Sequence, residues 1–193
     1  IEQGFISIGS DEKKITYTYP NKTYKFTDPE EKVRAEYYLE LIIKYQYNPT
    51  LLDLEVIVPR RTPSDLADIV VFEDEEHLKP SIVIECKKDG ITDAEFTQAI
   101  EQAFGNTNSL RAGYAGVVSG NTRRFFDVKN FPQNERERNV IADIPINFGK
   151  VQEFRYKKQD PVWDIEEVNK IELIKTLEKC NDTLWDGGAL DPI

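Results

Sequence analysis

The chain has 193 residues, enough for one sizeable hydrophobic core, and its 39% hydrophobic and 31% charged residues are those of a globular domain rather than a fibrous or disordered chain. A formal charge of −10 argues against a stand-alone nucleic-acid binder, whose nonspecific affinity would come from Lys and Arg neutralising phosphates. No apolar run approaches the roughly 18 residues of a membrane span, no basic-then-apolar leader opens the chain, and Cys86 and Cys180 form neither a CxxC pair nor a disulfide ladder, so a reducing, cytoplasmic location is expected.

Residues 1–27 read as an N-terminal hairpin extension, because polar and apolar residues alternate over Ile15–Tyr19 before a turn at Pro20-Asn21. Asp28-Pro29-Glu30-Glu31 is a helix start, with Asp28 at the N-cap, Pro29 in the first turn and an acid three residues on. That helix is expected to run to about Tyr45. Three strands rich in Val, Ile and Leu follow, over Leu51–Val58, Leu66–Glu73 and Pro80–Lys88. Thr92-Asp93-Ala94-Glu95 repeats the capping pattern, and Phe96, Ile100, Ala103, Thr107 and Leu110 share one face of a second helix that ends near Arg111, before Gly113. Tyr114–Ser119 reads as a buried strand and Arg124–Val128 as a further extended segment.

From about Ile141 the sequence becomes polar and Pro-containing. Asp164 then caps an expected helix carrying Val168, Ile171, Ile174 and Leu177. Residues 141–193 are therefore expected to be a connector and the start of a helical segment leading to a further domain, so that the chain is a piece of something longer. The core, 28–140, runs helix, three strands, helix, strand. This αβββαβ order is that of an α/β fold with a mixed central sheet flanked by helices.

Strand alternation puts Val83, Glu85 and Lys87 on one face of the third strand and Ile82, Ile84 and Cys86 on the other. A hairpin centred between Glu76 and His77 sets Asp68 opposite Glu85, with Cβ atoms about 5 Å apart. Two like charges at that separation repel unless a cation lies between them. An all-oxygen pair with open positions suits Mg²⁺, or Mn²⁺ in its place, whereas one His and no Cys cluster do not suit zinc. Such an ion would bind a scissile phosphate, while Lys87 contacts the attacking water and favours its hydroxide form. An Asp…Glu-x-Lys spacing alone describes many solvated strand edges. Here both acids interrupt apolar strands and the hairpin register pairs them.

With Leu66-Ala67-Asp68, Ile84-Glu85-Cys86-Lys87-Lys88, Asp28–Arg34 opening the first helix and Gln102-Ala103-Phe104 in the second, the chain resembles the PD-(D/E)xK nucleases. More closely it resembles the N-terminal endonuclease domain of Type I restriction subunits and related fused restriction-modification proteins, over about Asp28–Val128. The resemblance implies a metal-dependent restriction endodeoxyribonuclease that cuts double-stranded DNA, working with methyltransferase, specificity or motor modules of the same system. It implies a catalytic role for Gln102, which Asn106 follows where the family often has Tyr. Gln98 is a competing match, and Ala67 stands in place of the family's Pro. It also implies a first-helix acid near the metal. Glu31 is the candidate, on the arc of Ala35, Tyr38 and Ile42, although its capping-box position offers it another role; Glu36, on the arc of Glu40, reads as solvated.

Arg60, Arg61, Lys88, Arg123 and Arg124 flank strand ends near the expected site and are the candidates for phosphate contacts. Lys179–Trp185 with Gly187-Gly188 resembles the segment that joins such domains to a DNA adenine methyltransferase, so S-adenosylmethionine or ATP would be bound only by other domains. His77 reads as a solvated loop residue, Cys86 as a core residue, and Gly116 and Gly120 form no phosphate-cradling motif. Two other functions fit the same pattern: a catalytically silent docking or assembly module, and a repair or junction-resolving nuclease.

Overall fold

The computed structural model describes residues 4–59, 65–120, 122–130 and 139–151, together with 174, 175 and 177. The chain divides into two units, Ile1–Phe154 and Arg155–Ile193. In the second, Ile174, Lys175 and Leu177 are helical, and the rest of the helix expected after Asp164 lies outside the described residues.

The N-terminal segment is a three-stranded antiparallel sheet, β1 (Ile6–Ile8), β2 (Lys14–Tyr17) and β3 (Lys22–Lys25), one strand more than the expected hairpin. Alternation along β2 turns Ile15 and Tyr17 inward, where both are fully buried in the cluster that also holds Val33, Ala35, Tyr38 and Leu41. Those four belong to α1 (Pro29–Ile43), whose first turn is fixed as expected: the Asp28 carboxylate accepts the Glu30 N–H at 3.0 Å and Pro29 fills the first position.

Six strands form the main sheet in the order β4 (Leu52–Val58), β5 (Asp65–Phe72), β6 (Pro80–Lys87), β7 (Tyr114–Ser119), β8 (Thr122–Asp127) and β9 (Val140–Ile141). Only β6 and β7 are parallel, and the crossover between them is α2 (Asp93–Leu110). Both halves of the expected capping box are made, Thr92 with the Glu95 backbone and Glu95 with the Thr92 backbone. The helix ends at Arg111 as expected, with that residue as the cap in the left-handed region at φ 61°.

The sheet is covered on both faces. Ile82, Ile84, Cys86, Val118 and Phe125 lie in the core beneath α1, while Ala115, Val117 and Phe126 pack with Phe96, Ile100 and Ala103 of α2. Hence β6 is buried from Ser81 through Cys86, and an ionisable group on it is far from water.

His77 is not a solvated loop residue. It sits at φ 56° in the β5–β6 turn, its ring stacked on Phe72 with centroids 4.4 Å apart and its Nε2 2.8 Å from the Thr50 carbonyl oxygen. The turn needs a residue with positive φ, and the ring fills the space over Phe72.

Candidate active site

The β5–β6 register pairs Ile69 with Ile84, Val70 with Val83 and Val71 with Ile82, and carried one step further it sets Asp68 level with Glu85. The Asp68 side chain reaches across the strand gap, where Oδ2 accepts the Cys86 N–H at 2.7 Å. A carboxylate thereby satisfies a backbone donor that the ladder leaves open, and its position is fixed beside Glu85. Ser119 donates to the Lys88 carbonyl oxygen at 2.6 Å, tying β7 to the chain just after Lys87.

Glu85 is 1% exposed. Its Oε1 accepts from Lys87 Nζ at 2.6 Å, and its Oε2 is buried with no hydrogen-bond partner. Burial first, and then the Asp68 carboxylate, push the Glu85 carboxyl up to about 8. Burial likewise raises Asp68 to about 6, against the opposing pull of the Cys86 N–H and the Lys87 and Arg34 cations. For Lys87 burial acts in the other direction, but the Glu85 carboxylate outweighs it and the ammonium is held above its usual range. Two acids that resist ionisation next to a persistent cation form an electrostatically unsatisfied site.

Several neighbours could not be read from local spacing. Glu30, in the first turn of α1, lies 3.8 Å from Lys87 Nζ. Arg34, one turn further, is buried and pairs with Glu31, with Glu55 at 3.0 Å and with Asp68 at 3.8 Å. The signals were present. Arg34 is three residues from Glu31 on the inward arc of α1, and Glu55 interrupts an apolar strand just as Asp68 does.

Glu31 is 5% exposed, on the inward arc with Ala35, Tyr38 and Ile42. Both its oxygens are engaged, Oε1 by the Tyr17 hydroxyl at 2.5 Å and Oε2 by Arg34. It does not close a capping box, and Arg34 links it to Asp68. Gln102 projects from α2 toward the start of β5, where its Nε2 lies 3.4 Å from Asp65 Oδ1 rather than against Glu85 or Lys87. Asn106, four residues on, is fully buried with neither polar side-chain atom partnered. Among the described residues no group of three or more His, Cys, Asp or Glu side chains is gathered as a ready-made metal cage.

Among the basic candidates, Arg123 donates to Glu40 at 2.7 Å and lies 5.3 Å over the Tyr37 ring, while Arg124 is 6.0 Å over Phe96. Lys88 is exposed, and Arg60 and Arg61 lie outside the described residues. A cleft of about 600 Å³ runs between Lys32, Lys88 and Arg123, with Glu36 and Asp89 also on its walls. A larger cleft of about 710 Å³ lies around Pro80, Ser81 and Arg111, and none of Asp68, Glu85 and Lys87 lines it. Cys86 is buried in the core beneath α1, as alternation requires, and burial holds its thiol well above the usual range. No helix among the described residues is long and apolar enough to cross a membrane.

A family model described as the Type I restriction enzyme R protein N terminus matches residues 29–145, more than half of the chain. No curated protein and no solved structure matches it.

Proposed function

The chain belongs to the family of Type I restriction enzyme R protein N termini, and from that premise we propose that it is a metal-dependent nuclease domain hydrolysing phosphodiester bonds of double-stranded DNA. The observation that carries this reading is the meeting of Asp68, Glu85 and Lys87 at the end of β6, with one buried oxygen of Glu85 left without a partner.

The donors present fit a hard divalent ion. Asp68 and Glu85 offer oxygen only, and Mg²⁺ or Mn²⁺ needs few protein carboxylates because water and substrate phosphate complete its shell. Such an ion, when bound, would polarise the scissile phosphate and offset charge that develops on its oxygens. The chain's own groups do the rest. Asp68, pinned by the Cys86 N–H, and Glu85, fixed on a central strand, would hold that ion at one place, and with it the phosphate it meets. Lys87 donates a hydrogen bond to the attacking water, favours its hydroxide form, and faces the negative charge that builds during in-line displacement. No covalent intermediate is needed.

Lys88 and Arg124 are the exposed cations we assign to backbone phosphates, with Arg123 joining them if it exchanges Glu40 for phosphate. Gln102 acts by holding Asp65 at the start of β5. Recognition of a DNA site, ATP-driven movement or methyl transfer would belong to motor, specificity or methyltransferase partners. The test is cleavage of duplex DNA by the complete restriction enzyme in Mg²⁺, in Mn²⁺ and in chelator, with linear, branched and methylated substrates. Cutting of linear duplex with either ion and none in chelator supports the proposal. Equal cutting in chelator contradicts it, binding without cutting under any condition identifies a silent docking module, and a strict preference for branched DNA identifies a repair nuclease.

A further inference from the structure

One buried charge takes no part in that chemistry. The Arg34 side chain is only 8% exposed, a burial that a guanidinium tolerates only when its charge is met, and its Nε is buried without a hydrogen-bond partner. Nη2 is held by Glu31 Oε2, and Nη1 donates to Glu55 Oε1 at 3.0 Å while lying 3.8 Å from Asp68 Oδ1. The guanidinium carbon lies 4.3 Å over the Tyr24 ring, and Tyr17 holds the other oxygen of Glu31. Tyr17 and Tyr24 belong to β2 and β3, which precede the region that the family match covers. The N-terminal sheet is thus part of the wall that fixes Arg34.

The strand registers explain why a fixed cation is needed. Leu54 faces Ile69 and Val56 faces Ala67, and between these pairs Glu55, at φ 48°, drops out of the paired register and brings its carboxylate to the same guanidinium that Asp68 approaches. With Glu85 on the next strand, three carboxylates from adjacent strands thus make one row at this end of the sheet, and like charges brought close repel. Arg34 occupies the Glu55–Asp68 side of this row and leaves the Glu85 side open, where Oε2 is bare.

We propose that Arg34 is a built-in cation that fills the pocket between Glu31, Glu55 and Asp68 and so limits the site to one divalent ion, held by Asp68 and Glu85. Tyr17, Tyr24 and Glu31 are positioning residues that keep the guanidinium there. The inference rests on the metal reading of Asp68 and Glu85 given above. With room for a single ion, Lys87 does the work at the attacking water that a second ion would otherwise do.

The experiment is calorimetric titration of Mn²⁺ into the chain, comparing the wild type with Arg34→Gln. One ion per wild-type chain and two per Arg34→Gln chain are expected, because the substitution leaves Glu31, Glu55 and Asp68 without a cation. Two ions in the wild type, or one in a folded Arg34→Gln chain, overturns the inference and leaves the metal reading intact. Where Arg34→Gln is unfolded in chelator, recovery of its circular dichroism by Mn²⁺ but not by matched NaCl supports the inference, since an ion that binds only the folded state stabilises it. Failure of Mn²⁺ to restore it overturns the inference. No binding by the wild type overturns the metal reading itself, and the inference with it.

Discussion

Asp68 and Glu85 are held above their unfolded values, to about 6 and about 8, chiefly by burial. Between about pH 4 and about pH 8 the folded chain therefore keeps protons that the unfolded chain releases, and stability falls as the pH rises. A divalent ion reverses this by favouring the ionised forms. The expected outcome is that Glu85→Gln raises the melting temperature in chelator at pH 8 and leaves it nearly unchanged at pH 4, with added Mg²⁺ narrowing the difference at pH 8. Scanning calorimetry at the two pH values checks this, and a lower melting temperature for Glu85→Gln at pH 8 in chelator would count against the burial argument.

The same scale shows what local spacing reveals. Alternation along β6 and the centre of one hairpin are enough to bring Asp68, Glu85 and Lys87 together, because a strand has period two and a short turn fixes register. Arg34, Glu30 and Glu55 join them only through the packing of α1 on the sheet and the pairing of β4 with β5, contacts between residues far apart in the chain. His77 was misread for a related reason. Its partner ring, Phe72, lies across a turn whose irregularity between Val71 and Phe72 is not written in the alternation.

Among the elements, the helix starts were the most legible, since a cap is a local hydrogen-bond pattern of four residues, as at Thr92–Glu95. Glu31 shows the limit of that pattern: the spacing fits a capping box, but Tyr17 and Arg34 bind the carboxylate instead. Strand β7 carries a further constraint. A Cβ on Gly116 would meet Ile84 Cδ1 at 2.5 Å and Phe125 Cδ1 at 2.8 Å, so the strand passes too close to its neighbours' side chains for any larger residue. Gly116→Ala is expected to cost roughly 1–3 kcal/mol of stability through overpacking. Urea unfolding measures it, and an unchanged midpoint would show that Ile84 and Phe125 move aside freely.

For the unit as a whole, the N-terminal sheet and the nuclease-family region share one core: Ile6, Ile15 and Tyr17 pack in the cluster that holds α1. Fully burying side chains of this kind contributes about 1.5–3 kcal/mol each, a large share of the roughly 5–15 kcal/mol that holds a domain folded. Removing residues 1–27 is therefore expected to abolish or severely lower the cooperative thermal transition. A truncated chain that melts like the full one would mean that α1 is held by the main sheet alone. The arrangement would also confine the proposed chemistry, since the central strand is covered from Ser81 through Cys86 and the groups assigned to it gather where that cover ends, at Lys87.

The central claim, that Asp68, Glu85 and Lys87 together hydrolyse DNA, is tested most directly by the cleavage rate of the complete enzyme on linear duplex DNA in Mg²⁺. The measurement compares the wild type with Asp68→Ala, Glu85→Ala and Lys87→Ala, with DNA binding recorded in parallel. Each substitution is predicted to slow cleavage by about a hundredfold or more while leaving binding in place. Wild-type cleavage by any of the three would contradict the account.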